Sequence, residues 1–311
     1  MVIIKSLDEI KHNKNTVVTL GTFDGFHLGH QQILKSVVEK TKQYSGRNIL
    51  ITFDPHPRKI VSTKNHIKIL STLDEKKEVL SKLGIENLFV INFTKEFSQQ
   101  SPKQFVTKYL LEGIGVREVV IGYDHHFGKG RGGNFDLLNS LGEKYKFKIT
   151  PIPEYKVGDE TVSSTKIRNA LIDGDIAKAN KMLGRYYSFK GKVIKGDGRG
   201  KQLGYPTANL MIENEDKLLP AIGIYAAQCE IDGEKHKALL SIGSRPTFSN
   251  DGKVVPEIYI LDFDKDIYNQ KLQIIVIQRI RGEEKFNSAE ELIKQMDKDK
   301  EAGLKIFKEV N

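Results

Sequence analysis

From residue 16 to residue 152, short runs of β-branched and other apolar residues alternate with longer stretches in which apolar residues recur every three or four positions. VVTLG leads into QQILKSVVEKTKQ, NILITF into LDEKKEVLSKL, NLFVINF into SPKQFVTKYLLEG and EVVIG into NFDLLNSLGEKY; KITPIP closes the series. Short apolar runs read as strands and the longer period as amphipathic helices. The region therefore predicts repeated βαβ units, an α/β fold with a parallel sheet and helices on both faces. Ser101-Pro102 marks one helix start, an N-cap residue followed by a proline whose missing N–H is not needed there.

Two more helical stretches follow, SSTKIRNALIDG and DIAKANKMLG, and after Gly184 the texture changes. YYSFKGKVIKG, ANLMI, GIYAAQCEI, KHKALLSI, PEIYILDF and KLQIIVIQRI are strand-like runs parted by Gly, Asn and Asp turns, as in an antiparallel barrel or sandwich. The chain closes on NSAEELIKQMDKDKEAGLKIFKEV, a helix opened by the capping-box pair Ser288 and Glu291. Two domains are expected, 1–185 and 186–311, which suits a length of 311 residues.

Composition narrows the setting. The net charge of +9 fits an anionic partner, but the lysines are scattered, and the chain lacks tryptophan and an RNP-like aromatic stretch. Nucleotide phosphates account for that sign without nucleic acid. One cysteine, Cys229, excludes an intramolecular disulfide, the first residues lack an apolar signal core, and no apolar run approaches a membrane span. A cytoplasmic protein with no membrane partner is expected.

Ligands of open α/β sheets bind outside the carboxyl ends of the strands. Three unusual segments fall there: GTFDGFHLGH after the first expected strand, FDPHP (53–57) after the second and GYDHHFGKGRGG (122–133) after the fourth. His27 and His30 stand where a strand turns into a helix, so backbone N–H groups, the helix dipole and two imidazoles converge on one spot, an arrangement that suits phosphate. Zinc would need three or four ligands, and although His56, His125 and His126 lie on neighbouring loops, no Cys or HExxH pattern accompanies them. Two hydrogen-bonded turn histidines would satisfy the same spacing.

SSTKIR puts Lys166 and Arg168 in the first turn of a helix, where cations oppose the macrodipole unless an anion binds; an ordinary capped helix is the plain alternative. GKGRGG reads as a flexible loop on the phosphate side. GDGRGKQLG resembles a P-loop but has lysine at 195 and glutamine after Lys201, which rejects a Walker kinase. In GYPTANL, Thr207 and Asn209 are two apart and share a face if the segment is a strand, offering neutral oxygens for Mg²⁺ beside ATP phosphates. Glu257 is an acid in a strand-like run, either a general base or a solvent-facing residue.

Taken in order, GTFDGFHLGH, FDPHP, GYDHHFGKGRGG, SSTKIR, GKVIKGDGRGKQLGYPTANL, IGSRPTF and IRGEEKFNSAEEL resemble the bacterial bifunctional riboflavin kinase/FMN adenylyltransferases over nearly the whole chain. The resemblance implies a Rossmann-like nucleotidyltransferase domain followed by a six-stranded antiparallel flavokinase barrel with a terminal helix. It implies that the barrel converts riboflavin to FMN with ATP and Mg²⁺, and that the first domain joins FMN to AMP, giving FAD and pyrophosphate. A single-activity adenylyltransferase with a silent, flavin-binding kinase module is the alternative.

By the same resemblance His27 and His30 hold the ATP phosphates within a nucleotide site that includes Gly21, Phe23, Asp24 and Gly29, with Ser164, Thr165 and Arg168 opposite. Asp124 falls near the nucleotide, and Phe53, Asp54, Pro55, His56 and Pro57 line the flavin side. Thr207 and Asn209 match Mg²⁺–ATP ligands, Glu257 matches the catalytic base, and Gly196, Gly198, Arg199 and Lys201 form a loop closing over the second nucleotide. The chain departs from the family pattern at His125, His126 and Tyr186, and at Pro256, whose missing N–H argues for a strand edge.

Overall fold

The computed structural model describes residues 1–62, 67–195, 200, 203–244 and 254–310, which form two compact units, Met1–Ser164 and Thr165–Asn311. The first unit contains β1 (Val2–Ile4), β2 (Thr16–Leu20), α1 (Leu28–Gln43), β3 (Arg47–Asp54), α2 (Pro57–Val61), α3 (Leu73–Lys82) and β4 (Asn87–Asn92). Then come α4 (Pro102–Phe105), running into a π-helical stretch Val106–Ile114, β5 (Val116–Gly122), α5 (Phe135–Tyr145), β6 (Lys148–Ile152) and a small hairpin of β7 (Lys156–Val157) and β8 (Glu160–Thr161).

Six strands form a parallel sheet in the order β1-β4-β3-β2-β5-β6. Alternate residues feed two cores. Ile49, Ile51, Val119 and Ile121 pack with Leu110, Leu138 and Leu141 on one face; Val17, Leu50, Leu88 and Val120 pack with Leu34, Val37 and Leu80 on the other. Every residue of β2 is buried, and the connections reverse direction around it: β3 and β4 follow on one side, β5 and β6 on the other. The carboxyl ends of β2, β3 and β5 are thus adjacent at the switch point, where an open sheet leaves a crevice. The three motifs follow the second, third and fifth strands rather than the first, second and fourth, because Val2–Ile4 adds a parallel edge strand too short to declare itself.

Ser101 caps its helix as expected, accepting from the Gln104 N–H while Gln104 accepts from the Ser101 N–H. Beyond this turn the buried residues Val106, Leu110 and Ile114 fall at intervals of four along the π-helical stretch. The GKGRGG segment is tied down: Phe127 and Gly133 exchange backbone hydrogen bonds, Lys129 N–H donates to the Gln100 carbonyl, and Lys129–Arg131 forms a 3-10 turn.

The second unit begins with α6 (Ser164–Asp173, its first residue closing the first unit) and α7 (Ile176–Leu183). Both pack on the barrel that follows: Asn180 donates to the Val276 and Ile277 carbonyls and accepts from the Tyr187 N–H, and Ala221 N–H donates to the Leu171 carbonyl. The packing border therefore precedes these helices, whereas the texture of the sequence changes after them.

Strands β9 (Tyr187–Ile194), β10 (Thr207–Met211), β11 (Gly223–Ile231), β12 (Glu234–Ser244), β13 (Val254–Ile260) and β14 (Lys271–Arg281) close a six-stranded antiparallel barrel in the order β10-β13-β12-β11-β14-β9. Closure removes edge strands, so the edge inferred from Pro256 does not exist. Pro256 pairs with Ile242 on β12 and lies one residue past the last β10–β13 pair, Asn209 with Glu257, where no donor is required. The final helix, α8 (Ala289–Glu309), packs Ile306 and Phe307 with Ala226, Leu261 and Ile277 of the barrel. Its Ser288 cap accepts from the Glu291 N–H, but the Glu291 carboxylate accepts from Asn287 rather than from Ser288, so the box is only half formed.

Away from the strand ends, Glu118 on β5 is buried at 1% side-chain exposure and accepts from Tyr44 (2.5 Å), Thr150 (2.5 Å) and Lys40 (2.6 Å). Burial alone would raise its carboxyl, but the hydrogen bonds from Lys40, Thr150 and Tyr44 outweigh it and hold the group below the ordinary range. A depressed folded-state value stabilises the fold above the unfolded value, near 4.3, and that contribution disappears as pH falls through the folded value. Glu118→Gln is expected to cost about 1–3 kcal/mol at neutral pH and to flatten the acid dependence; urea unfolding at pH 7 and below pH 4 measures both.

Candidate active sites

The segment joining β2 to α1 adopts a conformation that large side chains resist. Phe23 and Phe26 have φ of 45° and 46°, in a segment where Gly21 and Gly25 also have positive φ, at 155° and 90°; a bulky residue in the left-handed region costs roughly 1–3 kcal/mol. Both rings are buried, at 3% and 0% exposure, in the core shared with Leu34 and Leu50, and full burial of a Phe returns roughly 1.5–3 kcal/mol. Polar contacts complete the turn. The Asp24 carboxylate accepts from the Leu70 and Ser71 N–H groups (2.9–3.0 Å), Lys76 Nζ donates to the Thr22 carbonyl (2.7 Å), Gln31 to the Phe26 carbonyl (2.9 Å) and Ser164 Oγ to the Asp24 carbonyl (2.8 Å).

This turn delivers the histidines. His27 is the N-cap of α1: its Nδ1 accepts the His30 N–H at 3.3 Å, which leaves the ring proton on Nε2 as a donor. The two rings stack at 3.6 Å between centroids and 19°, and Phe23 lies against His30 at 4.9 Å. A Cβ on Gly29 would stand 3.3 Å from His27 Nδ1, so glycine gives the imidazole room. His30 Nδ1 is buried without a hydrogen-bond partner among the described residues. Burial, then His27 and Lys76, hold His30 well below the ordinary histidine range, so it stays neutral at physiological pH. The result is a helix N-terminus with two neutral ring donors, suited to an anion.

The flanking strand ends carry the other two motifs. Phe53 packs edge-on to Phe93 (5.5 Å) in a cluster with Phe97; the Asp54–Pro55 bond is cis; His56 caps α2, accepting from the Arg58 N–H; and Pro57 is that helix's first residue. At the end of β5, Asp124 folds back so that Oδ1 lies 3.4 Å from where a Gly122 Cβ would be. His125 stacks on Phe127 with its Nε2 buried and without a partner among the described residues. Burial, aided by His126 and Arg131, lowers it to about 4.

The first unit therefore gathers Gly21, Phe23, Asp24, His27, Gly29, His30 and Ser164 in one turn, with the 53–57 segment and Asp124 on adjacent strand ends. Thr165 and buried Arg168 belong to the second unit, Arg168 one helical turn beyond Ser164 on the same face of α6. Ser164 acts through its hydroxyl on the Asp24 carbonyl rather than as a helix cap. Lys76 escaped the sequence reading because LDEKKEVL shows an ordinary lysine in an amphipathic helix; the nearest signal is the Thr72/Glu75 capping box, which fixes how α3 starts.

In the barrel, Leu210 pairs with Val193 and both are buried, so Thr207 and Asn209 present the opposite face. Asn209, 5% exposed, pairs directly with Glu257 of the neighbouring β13, and Thr207 Oγ1 donates to Glu257 Oε2 at 3.3 Å. A Cβ on Gly200 would lie 2.9 Å from Thr207 Oγ1, so the glycine loop ends against this cluster. Gly196, Gly198, Arg199 and Lys201 lie outside the described residues. A hydroxyl, an amide oxygen and one carboxylate make a hard-oxygen set that fits Mg²⁺ arriving with nucleotide phosphates. Among the described residues no group of three or more His, Cys, Asp or Glu could hold a metal by itself.

A histidine-capped helix start at a sheet switch point, followed by a closed barrel with an oxygen cluster on its wall, suits a two-domain nucleotide-dependent transferase. Residues 9–166 match the FAD synthetase family model and residues 183–307 the riboflavin kinase model. Bifunctional riboflavin kinase/FMN adenylyltransferases of Listeria monocytogenes (40% identity, 94% of this chain and 93% of the relative) and Bacillus subtilis (36%, 94% and 92%) are similar throughout. A solved Streptococcus pneumoniae structure titled macrolide-efflux protein superposes with TM-score 0.87 at 29% identity, over 97% of this chain and 98% of that one. Among the described residues no helix is long and apolar enough to cross a membrane. The chain belongs to the bifunctional riboflavin kinase/FMN adenylyltransferase family, with both catalytic domains present, and it phosphorylates riboflavin to FMN and adenylylates FMN to FAD.

The field at His30 can be checked by histidine-selective NMR. Its ring is expected to titrate well below 6.5, the value of an unperturbed histidine. Lys76→Met, by removing a nearby positive charge, should move the midpoint upward.

Proposed function

We propose that the β2–α1 turn performs adenylyl transfer and that Thr207, Asn209 and Glu257 perform phosphoryl transfer, with a functional division at 1–185 and 186–311 that leaves α6 and its SSTKIR start with the adenylyltransferase. The stacked pair His27 and His30 at the start of α1 carries the first assignment. An FMN phosphate oxygen attacks the α-phosphorus of ATP and pyrophosphate leaves, so the protein supplies no nucleophile. It positions the phosphates and stabilises the charge that builds on the leaving group.

His27, through Nε2–H, and neutral His30 donate to phosphate oxygens beside the α1 N-terminus; from the start of α6, Thr165 and Arg168 supply a hydroxyl and a cation, and Ser164, its hydroxyl proton on the Asp24 carbonyl, holds the turn beside them. Gly21, Phe23, Asp24 and Gly29 act by shaping the turn, Asp24 with its carboxylate committed to Leu70 and Ser71. Phe53 to Pro57 line the flavin side, and Asp124 contacts the nucleotide.

In the kinase site Thr207 and Asn209 hold Mg²⁺, which neutralises the ATP phosphates when bound. Glu257 orients the ribityl hydroxyl and takes its proton late, because a carboxylate is too weak a base to remove it beforehand. Gly196, Gly198, Arg199 and Lys201, outside the described residues, are assigned to this nucleotide. A cytoplasmic location fits ATP and free flavins as substrates.

His30→Ala is expected to lower FAD formation from FMN by about 10²–10³-fold while sparing FMN formation, and Asn209→Ala to do the reverse. Separation of the flavins after incubation with riboflavin or FMN, ATP and Mg²⁺ reads both. Loss of both reactions in either folded variant contradicts the two-site assignment.

A further inference from the structure

Tyr205 stands two residues before Thr207 and is 7% exposed. Its hydroxyl donates to the Asp297 carboxylate of α8, and its ring packs edge-on to Tyr259 at 5.1 Å and 64°. Its N–H donates to the Gly200 carbonyl at 2.8 Å, and a Cβ on Gly200 would stand 2.3 Å from the Tyr205 carbonyl oxygen. One residue thus meets Gly200 through its backbone, and Tyr259 of β13 and the C-terminal helix through its side chain. Tyr259, two residues after Glu257, lies on the same face of β13 and pairs with Thr207 across the ladder. The aromatic pair therefore borders the oxygen cluster on the wall that α8 covers.

The helix is fixed where it presents Asp297. Arg281 Nε and Nη2 grip Asp299 bidentately, at 2.8 Å each, and Gln295 Nε2 donates to the same carboxylate at 2.9 Å. Gly303 approaches so closely that a Cβ there would meet Leu239 Cδ2 at 2.7 Å. The role of Tyr205 and Asp297 differs from this anchoring, since the Arg281 and Phe307 contacts hold α8 on the barrel without them. What their hydrogen bond fixes is the backbone entering β10, and with it the aim of Thr207 Oγ1 toward Glu257.

We propose that the C-terminal helix is a working part of the phosphoryl-transfer site, with Tyr205 and Asp297 as positioning residues that set Thr207 for the metal-bound end of ATP. The proposal rests on assigning Thr207, Asn209 and Glu257 to phosphoryl transfer. A donor to a carboxylate is worth enough that its loss, felt as misplacement of Thr207, should weaken nucleotide and metal use about tenfold.

Tyr205→Phe and Asp297→Asn in the full chain test this, because each keeps size and removes the hydrogen bond or its charge. Each is expected to raise the Mg²⁺ concentration for half-maximal FMN formation and the KM for ATP by about five- to tenfold, with a smaller change in kcat. The double variant should be no worse than either single one, as for two residues acting through one bond. FAD formation from added FMN, in the same samples, should be unchanged.

Unchanged Mg²⁺ and ATP dependence of FMN formation overturns the proposal, even if the barrel melts at a lower temperature, because the bond is then only structural. Effects of the two single variants that simply add also overturn it. Asn209→Ala separates the two readings. If it abolishes FMN formation while Tyr205→Phe is silent, only the role of the helix falls; if it leaves FMN formation intact, the site assignment itself falls.

Discussion

The adenylyltransferase unit depends on one buried carboxylate. Asp24 accepts backbone hydrogen bonds from Leu70 and Ser71, and so moors a turn in which two phenylalanines occupy the left-handed region. Strain of that kind persists only where the surroundings over-determine it. Here the buried Phe rings, Lys76 on the Thr22 carbonyl and Ser164 on the Asp24 carbonyl all act on five successive residues. Released, the chain from Gly21 to Phe26 would relax, the His27 cap would lose its direction, and the ring stack that opens α1 would have nothing to set it.

The two proposed ATP sites differ in the physics available to hold phosphate charge. The parallel sheet lends its switch point and a helix N-terminus, which sets backbone dipoles beside two imidazoles, and His30 is kept uncharged chiefly by its burial. The barrel cluster is carried by strands. It is written into the register of an antiparallel ladder, where Asn209 facing Glu257 brings an amide and a carboxylate together without a loop to hold them. That register is hard to lose, since a slip by one residue would turn Leu210 out of the barrel interior.

The alternation of short apolar runs with amphipathic stretches made the parallel sheet legible, and the regular short strands made the barrel legible. What escaped are features whose signal is not local. Val2–Ile4 is an edge strand of three residues whose pairing with Asn87–Phe89 has no period to read. Lys76, Glu118 and Asp297 sit in stretches that read as solvated helix or strand, and each is recruited by a partner far away in sequence: the Thr22 carbonyl, Lys40 with Tyr44 and Thr150, and Tyr205. The motifs themselves were legible because a cap, a tight turn or a two-residue spacing is local. Which unit α6 and α7 pack with was not, since that is decided by Leu171 of α6 accepting from Ala221 and by Asn180 of α7 reaching the backbone of β14.

The proposed division assigns the two half-reactions to separate sites, one at the β2–α1 turn with the start of α6 and one on the barrel wall. It is tested most directly by mixing equal amounts of the His30→Ala and Asn209→Ala proteins with riboflavin, ATP and Mg²⁺ and following the flavins by chromatography. The mixture is expected to make FAD, through FMN released by one protein and used by the other, while neither protein does so alone. No FAD from the mixture, with each protein still performing its own half-reaction, would contradict that division.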